Sequence, residues 1–597
     1  MGRRLRLPAL RGVLPVLAGV ARRPAPRVLL VYLVLAVALF HSTWSSPRTS
    51  WVGVCCDAEQ TTWFLRWTPY AIAHGINPWF SDHLNYPDGV NLLWQTMIFL
   101  PSLLLAPVTL TVGPVVAYNV FITLGVALSA WCAYLAIRRY VGRHWAAILG
   151  GLVYGFSPYM LTQSLDHANL VFAPLPPLLL MVIDETLVRR RRSPMVLGVA
   201  LGVLAACQLL SGEEMLVDEV IAAAILVAVL AWIGRKHLAE RAEAAITTLA
   251  VGVPTFLLLC LWPLSQQLFG RQRVLGTLFP TDVFVTDALN FVVPTEVQLI
   301  APSRAVAVTQ TFTGLGPEFN GYLGIPLLLL LGFAAVRLWS RPVVRAATIT
   351  AAALAVLSMG PHVHVGGRVM GIPLPWLAVS RIPFMDHALP NRLMLPAVLA
   401  VAVIVAVFAD IFVDTMSLRA SLPGLLAVAV VLVPLLPTTS FPRTDTTIPQ
   451  FFAEWDRSGV PDGSVVLVAP FIRDGGEADP MLWSAVADIR FRMPQGFFFI
   501  PGRDGMPQYG AIPTIVSDAM EQIQEKGTRV RFAGKALLLA DQALRERRVE
   551  TVVVGPMSNR DSMVDFFTAL LGRAPESTAG VEIWRHVDQR GVDLSGS

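Results

Sequence analysis

Four short segments of the chain concentrate acidic, arginine and histidine side chains where long apolar runs begin or end. They are CCDAEQ with Asp57 and Glu59, SLDHANL with Asp166 and His167, SGEEM with Glu213 and Glu214, and SRIPFMDHALPNRLM with Arg381, Asp386, His387 and Arg392. Carboxylates accept protons and bind hard cations such as Mg²⁺ or Mn²⁺. Guanidinium and imidazole groups bind phosphate oxygens. Ionisable residues at the edge of hydrocarbon are costly, which marks these segments as candidates for one functional site.

Each of these groups also has a structural interpretation. The alternatives are a solvated loop position for Asp57, a helix cap for Asp166 and His167, a helix start for Glu213 and Glu214, and pairing with Asp386 or lipid headgroups for Arg381 and Arg392. A second histidine pair, His362 and His364, has no acidic residue or cysteine beside it, so zinc is not predicted there. The five cysteines show neither a metal spacing nor a disulfide framework.

The composition excludes an ordinary soluble enzyme. Of the 597 residues, 54% are hydrophobic and 15% are charged, and the mean hydropathy is +0.59. Typical globular domains carry about 25% charged residues. The apolar residues form repeated runs near the length of about 17 to 25 residues that crosses a bilayer. The chain is therefore predicted to be an all-α polytopic membrane protein, whose clustered arginines set its orientation and do not bind nucleic acid.

The basic loops fix the predicted direction of the spans. Residues 1–27 are strongly basic and precede an apolar run without a small-residue cleavage pattern, so we predict a retained signal anchor and a cytoplasmic N-terminus. The loop RRYVGRH at 138–144 must then face the cytoplasm. That placement requires the run 96–112 to be re-entrant or interfacial, with both of its ends outside.

This topology predicts about eleven spans. They are 28–44, 115–137, 145–160, 170–183, 195–210, 217–233, 246–264, 322–339, 346–359, 393–413 and 422–437. The whole transmembrane domain covers 28–437, and its first outer loop covers 45–95. All four ionisable segments then lie on the outer face of the plasma membrane.

The first outer loop carries an aromatic pattern directly after Asp57. Trp63, Phe64, Trp67 and Tyr70 recur at helical spacing. A helix with such a face is predicted to lie flat in the membrane interface and to hold Asp57 at the depth of the headgroups.

The composition changes after residue 437. Residues 438–597 have a mixed charge and are numerous enough to form a core of their own. Strand-like runs at 464–470 and 550–556 flank a helix-like run at 535–548. We predict a small α/β domain on the extracytoplasmic side.

The order of these elements resembles that of the GT-C glycosyltransferases. The resemblance rests on a short first span, a long outer loop that opens with an acid, and the span, RRYVGRH, span arrangement. The segments that carry it are DAEQTTWFLRWTPYAIAHGINPW, YGFSPYMLTQSLDHANL and MGPHVHVGGRVMGIPLPWLAVSRIPFMDHALPNRLM. They are similar to those of actinobacterial membrane proteins grouped with this superfamily, which includes protein O-mannosyltransferases, lipid A aminoarabinose transferases and wall arabinosyltransferases. The resemblance covers about 28–437.

The resemblance implies transfer of a sugar from a polyprenyl-phosphate carrier to a glycan, lipid or protein acceptor, usually with inversion. Asp57 matches the acid of the first outer loop that acts as general base. Arg381, Arg392 and His167 are then candidates for binding the donor phosphate. The remaining candidates, for binding substrate or a Mg²⁺ or Mn²⁺ ion, are Glu59, Asp166, Glu213, Glu214, Asp386 and His387.

Two other functions stay open on the sequence. One is a non-catalytic scaffold for envelope assembly, because a fold alone does not give a function. The other is a transporter or flippase, which would usually show repeated halves and ionisable groups near the middle of the bilayer. Here the acids gather at the outer ends of the spans.

Overall fold

A computed structural model of the chain describes residues 24–54, 57–277, 279–382, 385–413, 418–473 and 476–589. Helices dominate the first three quarters of the chain. In order they are α1 (Pro24–Leu39), α2 (His41–Trp44), α3 (Asp57–Ala73), α4 (Phe99–Thr111), α5 (Pro114–Ile137), α6 (His144–Gly155), α7 (Pro158–Gln163), α8 (Ala168–Val171), α9 (Leu175–Asp184), α10 (Pro194–Leu209), α11 (Glu213–Ile233), α12 (Leu238–Phe269), α13 (Ser303–Thr309), α14 (Ile325–Arg337), α15 (Pro342–Ser358), α16 (Trp376–Val379), α17 (Met394–Phe412) and α18 (Leu418–Leu432).

The apolar helices fall into two groups by length. Five are long and apolar enough to cross a membrane: Pro114–Ile137, Ala168–Arg189, Glu213–Ile233, Ala239–Phe269 and Pro390–Phe412. Six shorter apolar helices accompany them: Pro24–Leu39, Phe99–Thr111, Pro194–Leu209, Ile325–Arg337, Pro342–Ser358 and Leu422–Leu435. The protein is therefore a helical bundle of the membrane type. The re-entrant path of 96–112 stays a prediction.

Two of the predicted spans are interrupted. The run 145–160 is divided, because α6 ends at Gly155 and Ser157 caps α7, its side chain accepting a hydrogen bond from the Met160 N–H at 3.3 Å. The run 170–183 is divided between α8 and α9, just before which Pro174 lies. A residue that precedes proline avoids the helical region, which accounts for breaks at these points. The resulting loop between α7 and α8 carries Asp166 and His167.

The aromatic helix of the first loop forms as predicted, but its predicted orientation is wrong. Trp63, Phe64 and Trp67 on α3 are buried, and the two indole rings stack with centroids 5.2 Å apart. The C-terminal part of the chain covers this helix, and the Gln60 amide donates to the Phe497 carbonyl at 2.7 Å. The rings therefore pack against protein and not against the membrane interface.

The C-terminal part contains the remaining helices and most of the strands. The helices are α19 (Gln450–Ala453), α20 (Asp479–Val486), α21 (Ile515–Lys526), α22 (Lys535–Glu546) and α23 (Arg560–Leu571). The strands of the described residues are β1 (Ser50–Val52), β2 (Phe80–Ser81), β3 (Val90–Asn91), β4 (His362–Val365), β5 (Arg368–Pro373), β6 (Arg443–Asp445), β7 (Val466–Ala469), β8 (Phe499–Pro501), β9 (Pro507–Tyr509), β10 (Thr551–Val554), β11 (Glu576–Thr578) and β12 (Val581–Trp584).

The strands connect the C-terminal part to the bundle. Strands β7 and β10, which fall within the two predicted strand runs, pair in parallel in a sheet of order β11-β12-β10-β7. Strand β6 pairs antiparallel with β1 of the first loop. One hydrophobic core runs from the bundle into the residues around Phe452 and Trp483, and a second lies between the sheet and α21 to α23. The C-terminal part is thus packed directly onto the first loop, and a domain boundary at 437 stays a prediction.

Candidate active site

A close backbone contact brings the first loop against the loop between α7 and α8. Gly53, directly after β1, has a φ of +105°, and a Cβ there would lie 2.3 Å from the Leu165 carbonyl oxygen. The next residue, Val54, donates its N–H to that oxygen at 2.8 Å. Only glycine tolerates both the backbone conformation and the approach. The contact therefore sets the start of α3 beside Asp166.

Three predicted residues meet at this point. Asp57, Asp166 and His167 each offer one ligand atom, and these atoms lie within 4.8 Å of one another. The Asp57 N–H at the start of α3 donates to Asp166 Oδ1 at 3.4 Å, and His167 Nε2 lies 3.9 Å from Asp57 Oδ2. The Asp57 side chain remains 22% exposed, so it is accessible from outside the protein.

Glu318 completes the cluster, although the sequence analysis missed it. It ends a 3₁₀ turn, Gly316–Glu318, and is buried. Its carboxylate accepts hydrogen bonds from Gln163 Nε2 at 3.2 Å, Asn391 Nδ2 at 2.7 Å and Arg392 Nη2 at 2.8 Å. In the sequence it is one acid in a long loop, with no local feature that separates it from the exposed Glu296.

The hydrogen bonds of Gln163 determine the tautomer of His167. The amide nitrogen of Gln163 donates to Glu318, so its oxygen accepts from His167 Nδ1 at 2.8 Å. The neutral imidazole then presents an unprotonated Nε2 toward Asp57. Burial lowers the pKa of His167 to about 3, and the positive charge of Arg392 acts in the same direction. His167 is therefore neutral at physiological pH.

The carboxylates of the cluster hold protons more tightly than usual. Burial raises the pKa of Asp57 to about 7, against the opposing effect of the Arg392 charge. Burial and the charge of Asp57 raise the pKa of Asp166 well above its ordinary value. Burial raises the pKa of Glu318 to about 7, although Asn391 and Gln163 stabilise its anion. Without a bound cation, these three carboxyl groups therefore favour their protonated forms more than free acids do.

The other predicted residues are distributed around this cluster. Arg392 is buried and pairs with Glu318 and Glu214, and its Nε has no hydrogen-bond partner among the residues that the structure describes. Glu213 accepts from Gln267 Nε2 at 2.7 Å. Glu59, on α3, is buried and has a pKa that burial raises to about 8.

The structure does not bring every predicted residue to the cluster. Arg381 and His387 are exposed, and the His387 ring lies 6.3 Å from Trp94. Arg381 lies at the surface whereas Arg392 is buried, and a role for Arg381 at the donor phosphate stays a prediction. The side chain of Asp386 lies outside the described part of the chain, as do Cys55 and Cys56.

The fold supplies an acidic partner for the second histidine pair that the local sequence lacks. Asp282, 80 residues before His362, lies 3.1 Å from His362 Nδ1 and 3.7 Å from His364 Nε2. Thr313 Oγ1 lies 3.3 Å from the other ring nitrogen of His364. These contacts fasten the β4–β5 hairpin to the neighbouring loops.

The donor set of the main cluster suits a divalent cation. Two carboxylates and an unprotonated imidazole nitrogen converge, and burial excludes most competing water. Oxygen and nitrogen ligands together suit Mn²⁺ well, and oxygen ligands suit Mg²⁺. Within the described ranges, no other group of three histidine, cysteine or acidic side chains meets the same distances.

Comparison of the sequence with protein families gives one match. A family described as a domain of unknown function, DUF6311, matches residues 28–433, which is more than half of the chain. The chain belongs to the DUF6311 family. The matched region contains all of the predicted spans except the last few residues, and it contains the whole cluster around Asp57. No curated protein matches the chain.

Solved structures show the fold of this DUF6311 member. The arabinofuranosyltransferase AftD from Mycobacteria is 14% identical with a TM-score of 0.55, over 95% of this chain and 40% of its own. The oligosaccharyltransferase AglB from Archaeoglobus fulgidus, in complex with an inhibitory peptide and a dolichol-phosphate, is 14% identical with a TM-score of 0.46, over 95% and 75%. ArnT from Cupriavidus metallidurans, bound to undecaprenyl phosphate, is 12% identical with a TM-score of 0.41, over 93% and 97%. The similarity to AftD shows that the chain has the GT-C fold predicted from its sequence, while the chain spans well under half the length of that protein.

Proposed function

We propose that this protein is an integral membrane glycosyltransferase that moves a sugar from a polyprenyl-phosphate carrier to a glycan, lipid or protein acceptor. The observation that carries the proposal is Asp57, a partly exposed carboxylate at the start of the first-loop helix of a GT-C fold. The pKa of Asp57 is raised, its histidine neighbour is neutral, and further carboxyl groups lie beside it. These are properties of a reactive site and not of a structural ion pair.

Asp57 acts as the general base. The oxygen of an acceptor hydroxyl forms a bond to the anomeric carbon of the donor, and the bond from that carbon to the phosphate oxygen breaks. Asp57 takes the proton that the hydroxyl loses, and the phosphate leaves with the electron pair. A pKa of about 7 suits a base that works near neutral pH.

Arg392 binds the phosphate of the carrier. Two of its nitrogens already contact acids, which fix the guanidinium in place, and its buried Nε lacks a partner. A buried donor without a partner is costly unless a ligand satisfies it. His167 is less suited to this role, because its Nδ1–H is used by Gln163 and its Nε2 carries no proton.

Asp57, Asp166 and His167 would hold a divalent cation, with Glu59 and Glu318 as the next nearest acids. When bound, the cation would supply positive charge to offset the charge that develops on the leaving phosphate. Gln163 serves by keeping His167 in the tautomer that can bind the ion.

A large apolar cavity fits the lipid part of the donor. Its volume is about 790 Å³, and residues of α9, α10, α11, α12, α15 and α17 line it. Most of the lining is aliphatic, as in Leu179, Leu226 and Val253. An isoprenoid chain has the matching chemistry.

The orientation follows from the arginine pattern. Arg139, Arg143 and Arg189 lie at the end of the bundle opposite Asp57. Helix α5 begins beside β1 of the first loop, where Asn119 Nδ2 donates to the Ser50 carbonyl at 2.8 Å, and it ends just before Arg139, which pairs with Asp184. With the positive end in the cytoplasm, the cluster and the C-terminal part lie on the extracytoplasmic face of the plasma membrane.

Mass spectrometry of cellular lipids tests this function. Cells would carry the wild type, Asp57→Asn, or Asp565→Asn at matched abundance, where Asp565 is an exposed acid on α23. We expect one glycosylated polyprenyl phosphate to accumulate with Asp57→Asn alone, and its mass names the sugar. Identical lipid profiles and surface glycans in all three strains would contradict the proposal and favour a non-catalytic role in envelope assembly.

A further inference from the structure

The β4–β5 hairpin lies at the end of a membrane helix, on the same side of the bundle as Asp57. It begins at His362, four residues after α15 ends at Ser358. The carbonyl of Ser358 accepts from the Thr286 N–H at 2.8 Å. The same loop continues to Phe284, whose carbonyl accepts from the N–H of Asn391 beside Arg392. The hairpin therefore lies at the end of a predicted span, beside the segment that carries Arg392.

The two strands of this hairpin have opposite surroundings. Every residue of β5 is exposed, including Val369 at 53%, Met370 at 44% and Ile372 at 56% of their surfaces. Strand β4 packs inward, with His364 buried. Exposed apolar strands of this kind favour aggregation in water, so a soluble surface would not retain one without a partner.

The fold holds this exposed strand outward by specific bonds. The turn that joins the strands is fixed by Asp287, which accepts from the N–H groups of Gly366 at 3.1 Å and Gly367 at 2.8 Å. Asp287 is itself buried. The apolar side of β5 is thus presented by a well-anchored turn and is not the result of a loose end.

We propose that β5 docks onto phospholipid in the leaflet on the site's side of the membrane. The helix that leads into the hairpin, α15, also exposes apolar surface near its end, with Val356 at 40%. Open strand edges are not found within the hydrocarbon core, so the strand lies at the boundary of headgroups and acyl chains.

The charges around the strand fit the same partner. Arg368 opens β5, and Arg381 lies just beyond α16; both are exposed, and neither pairs with an acidic side chain among those that the structure describes. Arginines beside an apolar interfacial segment bind the phosphates of headgroups. This assignment gives Arg381 a lipid phosphate outside the cluster around Asp57.

Docking would also steady the site. His364 on β4 lies 3.3 Å from Thr313, five residues before Glu318. A hairpin that is held by lipid would therefore also hold the loop that carries Glu318 in place.

Photolabelling in nanodiscs tests the docking independently of any enzymatic activity. The full chain would be reconstituted in phosphatidylcholine and phosphatidylglycerol, with a diazirine phospholipid that reacts near the top of its acyl chain. Two internal standards are available: Leu258 and Leu261 on the lipid-exposed α12, and Leu538 and Leu539 on α22 of the C-terminal part. We expect label on 369–372 at a yield comparable to α12, and none on α22.

A variant sharpens the result. Val369→Ser with Met370→Ser and Ile372→Ser should lose the label at the hairpin and keep the label on α12, which shows that the variant is folded and inserted. Absence of label from the wild-type hairpin, while α12 is labelled, would overturn the proposal.

Discussion

Acidic side chains are buried at both ends of the helical bundle, but at one end only does arginine pair with each of the buried acids compared here. At the end away from the site, Asp184 accepts from Arg139 Nε at 2.6 Å and Arg189 Nε at 2.7 Å, and Glu185 accepts from Arg139 Nη2 at 2.5 Å. At the other end, Arg392 pairs with Glu318 and Glu214, while Asp57 and Asp166 have a neutral histidine beside them. The first arrangement satisfies its charges, whereas the second leaves negative charge without a partner.

This difference between the two ends distinguishes buried acids that serve the structure from buried acids that serve a function. A buried acid whose partners are all present costs little beyond its desolvation, and removal of a partner is expensive. An acid whose partner is missing destabilises the fold unless a ligand compensates it. We therefore expect the paired end to respond to mutation through stability and the site end to respond through ligand binding and activity.

Asp184→Ala should produce the largest change in stability. It leaves Arg189 without its acid and Arg139 with Glu185 alone, and we expect a loss of about 3 kcal/mol in the free energy of unfolding. Asp57→Ala is the matched variant and should lose little or gain, because it removes excess negative charge. Unfolding in detergent measures both. Equal losses in the two variants would remove the distinction between the ends.

A divalent cation should stabilise the site end next most strongly. For a ligand at a hundredfold excess over its Kd, binding to the folded state adds about 2.7 kcal/mol. We expect this gain with Mn²⁺ for the wild type and for Asp565→Asn, and its loss in Asp166→Asn. An unfolding series with and without Mn²⁺ gives the answer. The same gain in Asp166→Asn would place the ion elsewhere.

Gly53→Ala should weaken the contact that sets the loops of the site together. The new Cβ would meet the Leu165 carbonyl and would require a positive φ, which costs about 1–3 kcal/mol. Gly332→Ala on α14 is the control, because its Cβ would meet nothing within 4 Å. Thermal unfolding compares the two, and an unaffected Gly53→Ala protein would show that the contact is dispensable.

Counted for each group and each pH unit, the pH dependence should be the smallest of these effects. Asp57 and Glu318 have raised pKa values of about 7, so the folded state binds more protons than the unfolded state between about pH 4 and pH 7. Stability without cations should therefore fall as pH rises through this window, by roughly 1 kcal/mol per pH unit for each group. Glu318→Gln should flatten the curve. A free energy of unfolding that rises with pH in this window would mean that the folded protein stabilises the anions of Asp57 and Glu318.

The sequence predicts the elements of the site better than their assembly. Asp57, Asp166 and His167 are readable because each stands at the end of an apolar run. Glu318 cannot be recognised in this way, because its hydrogen-bond partners Gln163 and Asn391 lie 155 and 73 residues away in the sequence. The burial of Trp63 is likewise hidden, since the C-terminal part that covers it lies hundreds of residues away. Such long-range contacts leave no local pattern in one sequence.

The central claim is that Asp57 takes the acceptor's proton, and the pH dependence of the transfer rate tests it most directly. Purified wild type and Asp57→Asn would be assayed with the carrier lipid that accumulates in cells of the variant. We predict a loss of about 10²–10⁴-fold in the variant with an unchanged unfolding temperature. The wild-type rate should rise as Asp57 ionises near its pKa of about 7, or at lower pH when a cation is bound. A variant that retains the wild-type rate and pH profile would contradict the account.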